Sequence, residues 1–422
     1  MVKQIIFHID VNSAFLSWEA AYRVQHLGGS LDLRTIPSVV GGSIEKRHGI
    51  ILAKSTPAKK YKIQTGEPIT DALKKCPFLE IVPPNYSLYE KSSLAFMEIL
   101  REYSDKVEQY SIDEAYVCMT GTEALFGSPV IAATMIKDRI QSELGFTVNV
   151  GVATNKLLAK MASEFDKPNK VNTLFSEEIP KKLWPLPVSE LFFVGRATAK
   201  KLHALGILSI GDLANADPEM LKAHLKKHGE VIYQFANGVD VSLVEDQPVA
   251  NKGYGNSTTI SFDVCDDRTA KMVLLSLAET VGARLRKDDA RAEVVSVSIK
   301  NFQFEHASHQ MTLPQVTNIT KEIHRASCRL FDELWDGSPI RNLGIHTGKI
   351  AYHESMRQLT LFDNMDYERL QKLDTVVDSI RNRFGKDAVQ RAAFVDNKRL
   401  DHMGGGITRE KRTVDYNREE VK

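Results

Sequence analysis

Asp10 closes the apolar run Gln4-Ile5-Ile6-Phe7-His8-Ile9, and Asp113 and Glu114 interrupt the β-prone run Tyr110-Ser111-Ile112-Asp113-Glu114-Ala115-Tyr116. Carboxylates inside such runs are costly unless they are paired, hydrogen-bonded or bound to cations. Three of them meeting at a sheet edge would suit two Mg²⁺ ions, which prefer oxygen ligands. Two such ions stabilise both the attacking and the leaving oxygen of a phosphoryl transfer. One geometric obstacle stands against this. Successive strand residues point to opposite faces, so Asp113 and Glu114 share a site only where a tight turn or a strand end falls. Acids at solvated strand ends remain the alternative. Residues 18–80 carry an excess of basic side chains and residues 81–167 an excess of acidic ones. A cation site facing a phosphate-binding surface needs that division, although scatter over short segments gives the same pattern.

The elements that must position these acids are readable. The run before Asp10 is continuous enough for a strand covered on both faces. Residues 13–27 form a helix with Phe15, Trp18, Ala21 and Tyr22 on one stripe, ended by Gly28-Gly29. Further strands are expected over 107–119 and 147–153, the latter leading into a helix over 156–165. Strands mixed with helices without strict alternation favour an α+β domain. Pro168 and the trio Pro180, Pro185 and Pro187 mark a boundary, and 188–238 read as short helices. A polar segment with Pro248, within 241–255, is a linker. Strands return at 294–304 and 309–313, with helices at 269–287 and 317–334. A tail follows with one amphipathic helix over 366–384.

Composition narrows the classes. The 422 residues are 43% apolar and 26% charged, which fits several soluble globular domains. Lys plus Arg total 55 against 54 Asp plus Glu, so net charge identifies no polyanionic partner. No apolar run has the length of a membrane span, and the N-terminus leads into a strand instead of a signal peptide. Cys76, Cys118, Cys265 and Cys328 lack metal-ligand spacing, so a reducing cytoplasm is expected.

Several motifs then become recognisable. His8-Ile9-Asp10-Val11-Asn12-Ser13-Ala14-Phe15 and Tyr110-Ser111-Ile112-Asp113-Glu114-Ala115-Tyr116 resemble the two active-site motifs of the Y-family, translesion DNA polymerases. The likeness continues through Lys54-Ser55-Thr56-Pro57-Ala58-Lys59-Lys60-Tyr61, through Gly151 to Ser163 and through Lys167-Pro168-Asn169, in the family's order. The resemblance implies a multidomain α+β, right-hand architecture: palm (1–17 and 81–167), fingers (18–80), thumb (168–240) and little finger (256–350), then a tail (351–422). It implies template-directed addition of dNMPs to a primer 3′-OH, low fidelity and no proofreading. Asp10 and Asp113 match the metal ligands, Val11 would lend its backbone carbonyl, and Glu114 is the third catalytic carboxylate. Phe15 matches the residue that blocks a ribose 2′-OH, with packing in the core as the alternative. Lys167 matches a triphosphate-contacting lysine.

Departures from the family are also visible. Its second acid is Asn12 here, leaving one carboxylate fewer near the metals. Its triphosphate-contacting Tyr and Arg are Thr56 and Lys59; the lysine keeps the charge without the bidentate fork. Weaker or reoriented nucleotide binding is the expectation. Leu191-Phe192-Phe193-Val194-Gly195-Arg196, with Lys200 beyond it, has the form of a helix-hairpin-helix. That motif holds a DNA phosphate through backbone N–H groups without reading sequence. Phe193 stands where the family has glycine, which puts that contact in question. Arg284, Arg286 and Lys287 on one helix are either phosphate contacts or a solvated face. In the tail, Gln358-Leu359-Thr360-Leu361-Phe362 resembles a sliding-clamp-binding peptide, with Leu361 and Phe362 as anchors and Gln358 fixing register. Partners are therefore primer-template DNA, dNTPs and a clamp held through 358–363; no membrane partner is expected and the chain should be a monomer. A metal-dependent nuclease needs the same acids but neither Phe15 nor the triphosphate lysines. A catalytically dead scaffold would have lost one of the three acids.

Overall fold

The computed structural model describes residues 4–43, 47, 49–247, 250–352, 367–396 and 400. The chain divides into two compact units, one of Met1–Val40, Ile51–Glu67 and Asp71–Pro248, the other of Gly41–Ile50, Pro68–Thr70 and Val249–Lys422. In chain order the first eight strands are β1 (Ile6–Val11), β2 (Ser38–Gly41), β3 (Ile51–Lys54), β4 (Glu80–Val82), β5 (Val107–Gln109), β6 (Glu114–Cys118), β7 (Val148–Ala153) and β8 (Val171–Leu174). A five-stranded sheet runs β5-β6-β1-β7-β8, and a small sheet runs β3-β2-β4. β1 lies centrally, antiparallel to both β6 and β7, while β8 runs parallel to β7.

Alternation along β1 sorts its side chains. Phe7, Ile9 and Val11 join a core with Val117, Val150, Phe96 and Ile136, the last two supplied by the helices Tyr86–Arg101 and Pro129–Leu144. Ile6 faces the other way, into a core with Leu157, Leu158 and Met161 of the helix Lys156–Glu164. Asp10 shares that second face. Burial on both sides explains why the run reads as continuously apolar.

The single strand expected over 107–119 is a hairpin instead. β5 ends at Gln109 and β6 starts at Glu114; the amides of Tyr110 and Ser111 both donate to the Glu114 carbonyl at 3.0 and 3.1 Å. Asp113 therefore sits in the turn and Glu114 opens the strand. Residues 188–238 are helical as expected, with Arg196–Ala204, Ile210–Ala214, Pro218–Leu225 and Lys227–Ala236 packed around Leu202, Ile210, Leu221 and Ile232.

In the second unit, β9 (Gly253–Val264), β10 (Ala290–Asn301), β11 (His306–Thr317) and β12 (Ile340–Tyr352) form an antiparallel sheet ordered β11-β10-β12-β9. The helices Asp267–Lys287 and Thr320–Leu334 pack on one face through Leu274, Leu277, Ile323 and Phe331. β9 and β12 were not legible as strands: Gly253, Gly255, Gly344 and Gly348 dilute their β signal. The helix Tyr367–Phe384 caps this unit. Arg286 pairs with Asp374 at 3.1 Å and Asp378 at 2.6 Å, and Arg381 and Arg391 both reach Glu279, at 3.3 and 2.7 Å. Asp374 also accepts from the amide of Thr320 at 2.8 Å, serving a helix whose own Ile319 cap offers no side chain. Arg284 donates to the Gly255 carbonyl at 2.9 Å. Both of these arginines are thus engaged inside the unit. Residues 358–363 lie outside the described residues.

Candidate active site

The β ladder sets Asp10 directly opposite Glu114, and the amide of Val11 donates to the Asp113 carbonyl at 3.0 Å. The turn thus removes the obstacle of alternating faces: Asp113 lines a cleft with Asp10 from a turn, while Glu114 lies opposite Asp10 from a strand. Ser111 locks the turn by donating from Oγ to the Asp113 carboxylate at 2.6 Å while accepting from the Asp113 amide at 3.2 Å.

Across this face lies the helix Lys156–Glu164, held close by Gly151 on β7. A Cβ at Gly151 would stand 2.0 Å from the carbonyl oxygen of Ala159 and 2.4 Å from the amide of Ser163, so only glycine lets helix and strand approach this far. That approach brings Lys160 and Glu164 over the acids. Lys160 pairs with Glu114 in a short contact, lies 4.0 Å from Asp10 and 3.6 Å from Glu164. Lys167 donates to Asp10 at 3.0 Å and to Glu164 at 3.0 Å. Oxygens of Asp10, Glu114 and Glu164 lie within 4.8 Å of one another. Sequence reasoning missed Lys160 and Glu164 as site residues, although Lys160 stands in a quoted motif, Glu164 directly follows it, and both lie at helical spacing with Lys156.

Electrostatics follow from burial. Burial pushes the Asp10 carboxyl up to about 6 although Lys167 and Lys160 pull the other way. Lys167 loses some basicity to burial but gains more from Asp10 and Glu164, and ends above its ordinary value. At neutral pH the pair is ionised. His8 is held well below its ordinary value by burial and by the two lysines, so it is neutral. Ser163 Oγ donates to the Lys160 carbonyl at 2.8 Å, which leaves His8 Nδ1 to donate to that hydroxyl at 2.8 Å.

The donor set is carboxylate oxygens, with two ammonium groups lying on the acids. It fits a hard divalent cation such as Mg²⁺. Asp113 is outside the three-acid cluster but lines one cleft, of about 290 Å³, with Asp10, Val11, Ala14, Phe15, Lys54 and Lys59. A neighbouring cleft of about 400 Å³ shares Asp10 and Lys59 and adds Arg34, Thr56, Glu164 and Lys167. Thr56 opens a short helix capped by Ser55, whose hydroxyl accepts from the amide of Ala58 at 3.1 Å. Arg34 was not among the expected contacts. Phe15 stacks its ring on Tyr89 at 4.6 Å and 10° and packs against the core, and it also lines the cleft beside Asp10.

Asn12 is committed elsewhere. Its Oδ1 accepts from the Asn169 amide at 2.9 Å and the Thr147 hydroxyl at 3.0 Å, and its Nδ2 donates to Asn149 at 3.3 Å. It ties β1 and β7 to the turn carrying Lys167 and is not part of the acid cluster. Gly195 caps the helix Arg196–Ala204, with Lys200 exposed on that helix.

The chain matches the impB/mucB/samB family over residues 9–164, the C-terminal domain of that family over 251–361 and the IMS family HHH motif over 176–207. It is 42% identical over 398 residues to DNA polymerase IV of Clostridium acetobutylicum, covering 94% of this chain and 100% of that one. DNA polymerase IV of Acetivibrio thermocellus is 37% identical over 406 residues, covering 95% and 100%. DNA polymerase IV 2 of Bacillus subtilis is 36% identical over 401 residues, covering 93% and 95%. In fold, a Y-family DNA polymerase chimera aligns with a TM-score of 0.71 at 23% identity, covering 82% of this chain and 99% of that one.

Proposed function

The chain belongs to the impB/mucB/samB family of Y-family DNA polymerases, and on that premise we propose how its residues divide the work. It is a DNA-directed DNA polymerase of the translesion type, acting on primer-template DNA and deoxynucleoside triphosphates. The primer 3′-OH attacks the α-phosphate of the bound dNTP, and pyrophosphate leaves. Asp10, Asp113, Glu114 and the Val11 carbonyl would hold two Mg²⁺ ions. Bound there, the ions supply charge neutralisation for the attacking and leaving oxygens. Lys160, paired with Glu114 and 4.0 Å from Asp10, holds the two acids close before the substrate arrives. Lys167 leaves Asp10 for the triphosphate, which also meets Lys59, Thr56 and Arg34. Phe15, held rigid by Tyr89, offers its face to C2′ and rejects a ribose hydroxyl by collision.

What supports this reading above all is one arrangement: Asp10, Asp113 and Phe15 line a single cleft that adjoins a basic one. Gly195 and Lys200 hold a DNA phosphate on the thumb, and Gln358, Leu361 and Phe362 dock on a sliding clamp. The enzyme works in the cytoplasm as a monomer, with low fidelity and no proofreading. Among the described residues no helix is long and apolar enough to cross a membrane.

Primer extension with Mg²⁺ is the test. Wild type extends with dNTPs, Asp113→Ala falls at least about a thousandfold, an effect on the scale of the metals' charge stabilisation, and Phe15→Ala raises rNTP use. A wild type that only degrades the primer defeats the reading in favour of a nuclease.

A further inference from the structure

The hairpin before Gly195 presents an aromatic ring that lies outside the buried core. Phe193 sits at φ 75°, in the left-handed region that glycine fills without cost and bulky residues avoid. Its side chain is nonetheless 56% exposed. Strained backbone of this kind clusters at functional and ligand-contacting sites. The ring is oriented from behind by two edge-on contacts, to Phe192 at 4.8 Å and 71° and to Phe235 at 5.7 Å and 85°. Val194, next in the chain, is 7% exposed and its amide donates to the Leu191 carbonyl at 2.9 Å, so the tip is anchored. Gly195 has nothing within 4 Å of where a Cβ would stand, and Arg196 and Lys200 lie exposed on the helix beyond. An apolar platform therefore flanks an open, basic approach, within the segment matching the HHH motif.

We propose that the Phe193 ring packs against the deoxyribose of duplex DNA beside the phosphate held at Gly195. This rests on the polymerase reading above and adds an uncharged contact to a motif that otherwise grips only phosphate. The chemistry selects a sugar: its C–H faces repeat at every nucleotide, so the contact is apolar yet indifferent to sequence. It also separates this contact from the lysines in salt. Phosphate contacts release counterions and set the slope of log K against log salt, whereas an apolar contact does not.

The experiment measures binding of the full chain to a fluorescent primer-template across a salt series, for wild type, Phe193→Gly and Lys200→Ala, with thermal melting alongside. Phe193→Gly should bind about tenfold more weakly at every salt concentration with an unchanged slope, and melt no lower than wild type because glycine suits the φ. Lys200→Ala should reduce the slope. Unchanged affinity for Phe193→Gly, or a lower melting temperature that accounts for its loss of binding, overturns the proposal and makes the ring a cover for Phe192 and Phe235. Phe193→Leu, which keeps apolar bulk, should recover part of the affinity; no recovery would also count against it. A wild type that neither binds nor extends primer-template would instead defeat the polymerase reading.

Discussion

Asp10 shows how one residue ties burial to chemistry. Its carboxyl is pushed up to about 6 by burial, so between about 4, the ordinary range of a free carboxyl, and 6 the folded chain holds a proton that the unfolded chain releases. The sign follows: this group's contribution to stability falls as pH rises through that window and is constant above it. Metal binding runs the other way, because a ligand must give up its proton first. Calorimetric titration with Mg²⁺ should therefore give affinity about tenfold lower at pH 5 than at pH 7.5, a proton-competition ratio expected for a group titrating near 6. A flat profile would mean that Asp10 does not ligate the ion. Asp10, Asp113, Phe15 and Lys167, which line the clefts, were all legible in the sequence, because each stands in a motif with a fixed offset. Arg34 was not, since no local pattern distinguishes it from any exposed arginine next to an aspartate.

At the scale of elements, the site depends on a helix resting against a strand. Gly151 fixes that distance, and a Cβ there would strike the backbone of Ala159 and Ser163, which cannot rotate away as a side chain can. Gly151→Ala should cost about 3 kcal/mol in urea unfolding, and primer extension should fall further than stability explains as Lys160 and Glu164 move off the acids. Unaltered unfolding would show that the helix has room to retreat. The hairpin β5–β6 was misread as one strand because Tyr110, Ile112 and Tyr116 keep β propensity through the turn. The turn has no glycine or proline, and Ser111 makes it with its side chain instead. The tail helix was recognised by its period, while its placement on the second unit depends on Asp374, Asp378 and Arg381 meeting residues about a hundred positions earlier.

For the whole molecule, the remaining prediction concerns recruitment. A clamp-binding peptide acts by tethering, which raises the local concentration of enzyme at the primer without touching the chemistry. Deleting 358–363 should abolish stimulation by a sliding clamp in a primer-extension assay and leave unaided synthesis at its wild-type rate. Equal stimulation after deletion would remove the peptide from that role. The sequence by itself determined the motifs, their order, the α+β class and the residue types of the catalytic cleft, because these are written in local runs where hydrophobic period and chemistry coincide. Only the tertiary structure decided that Asp10, Glu114 and Glu164 meet from a strand end, a facing strand and a helix, that Asp113 lines a cleft with Asp10 from a turn, that Lys160 lies on the acids, and that Asn12 holds a turn. Those outcomes are set by ladder register and by a glycine-wide gap between helix and strand, and neither distance exists until residues far apart in the chain have packed.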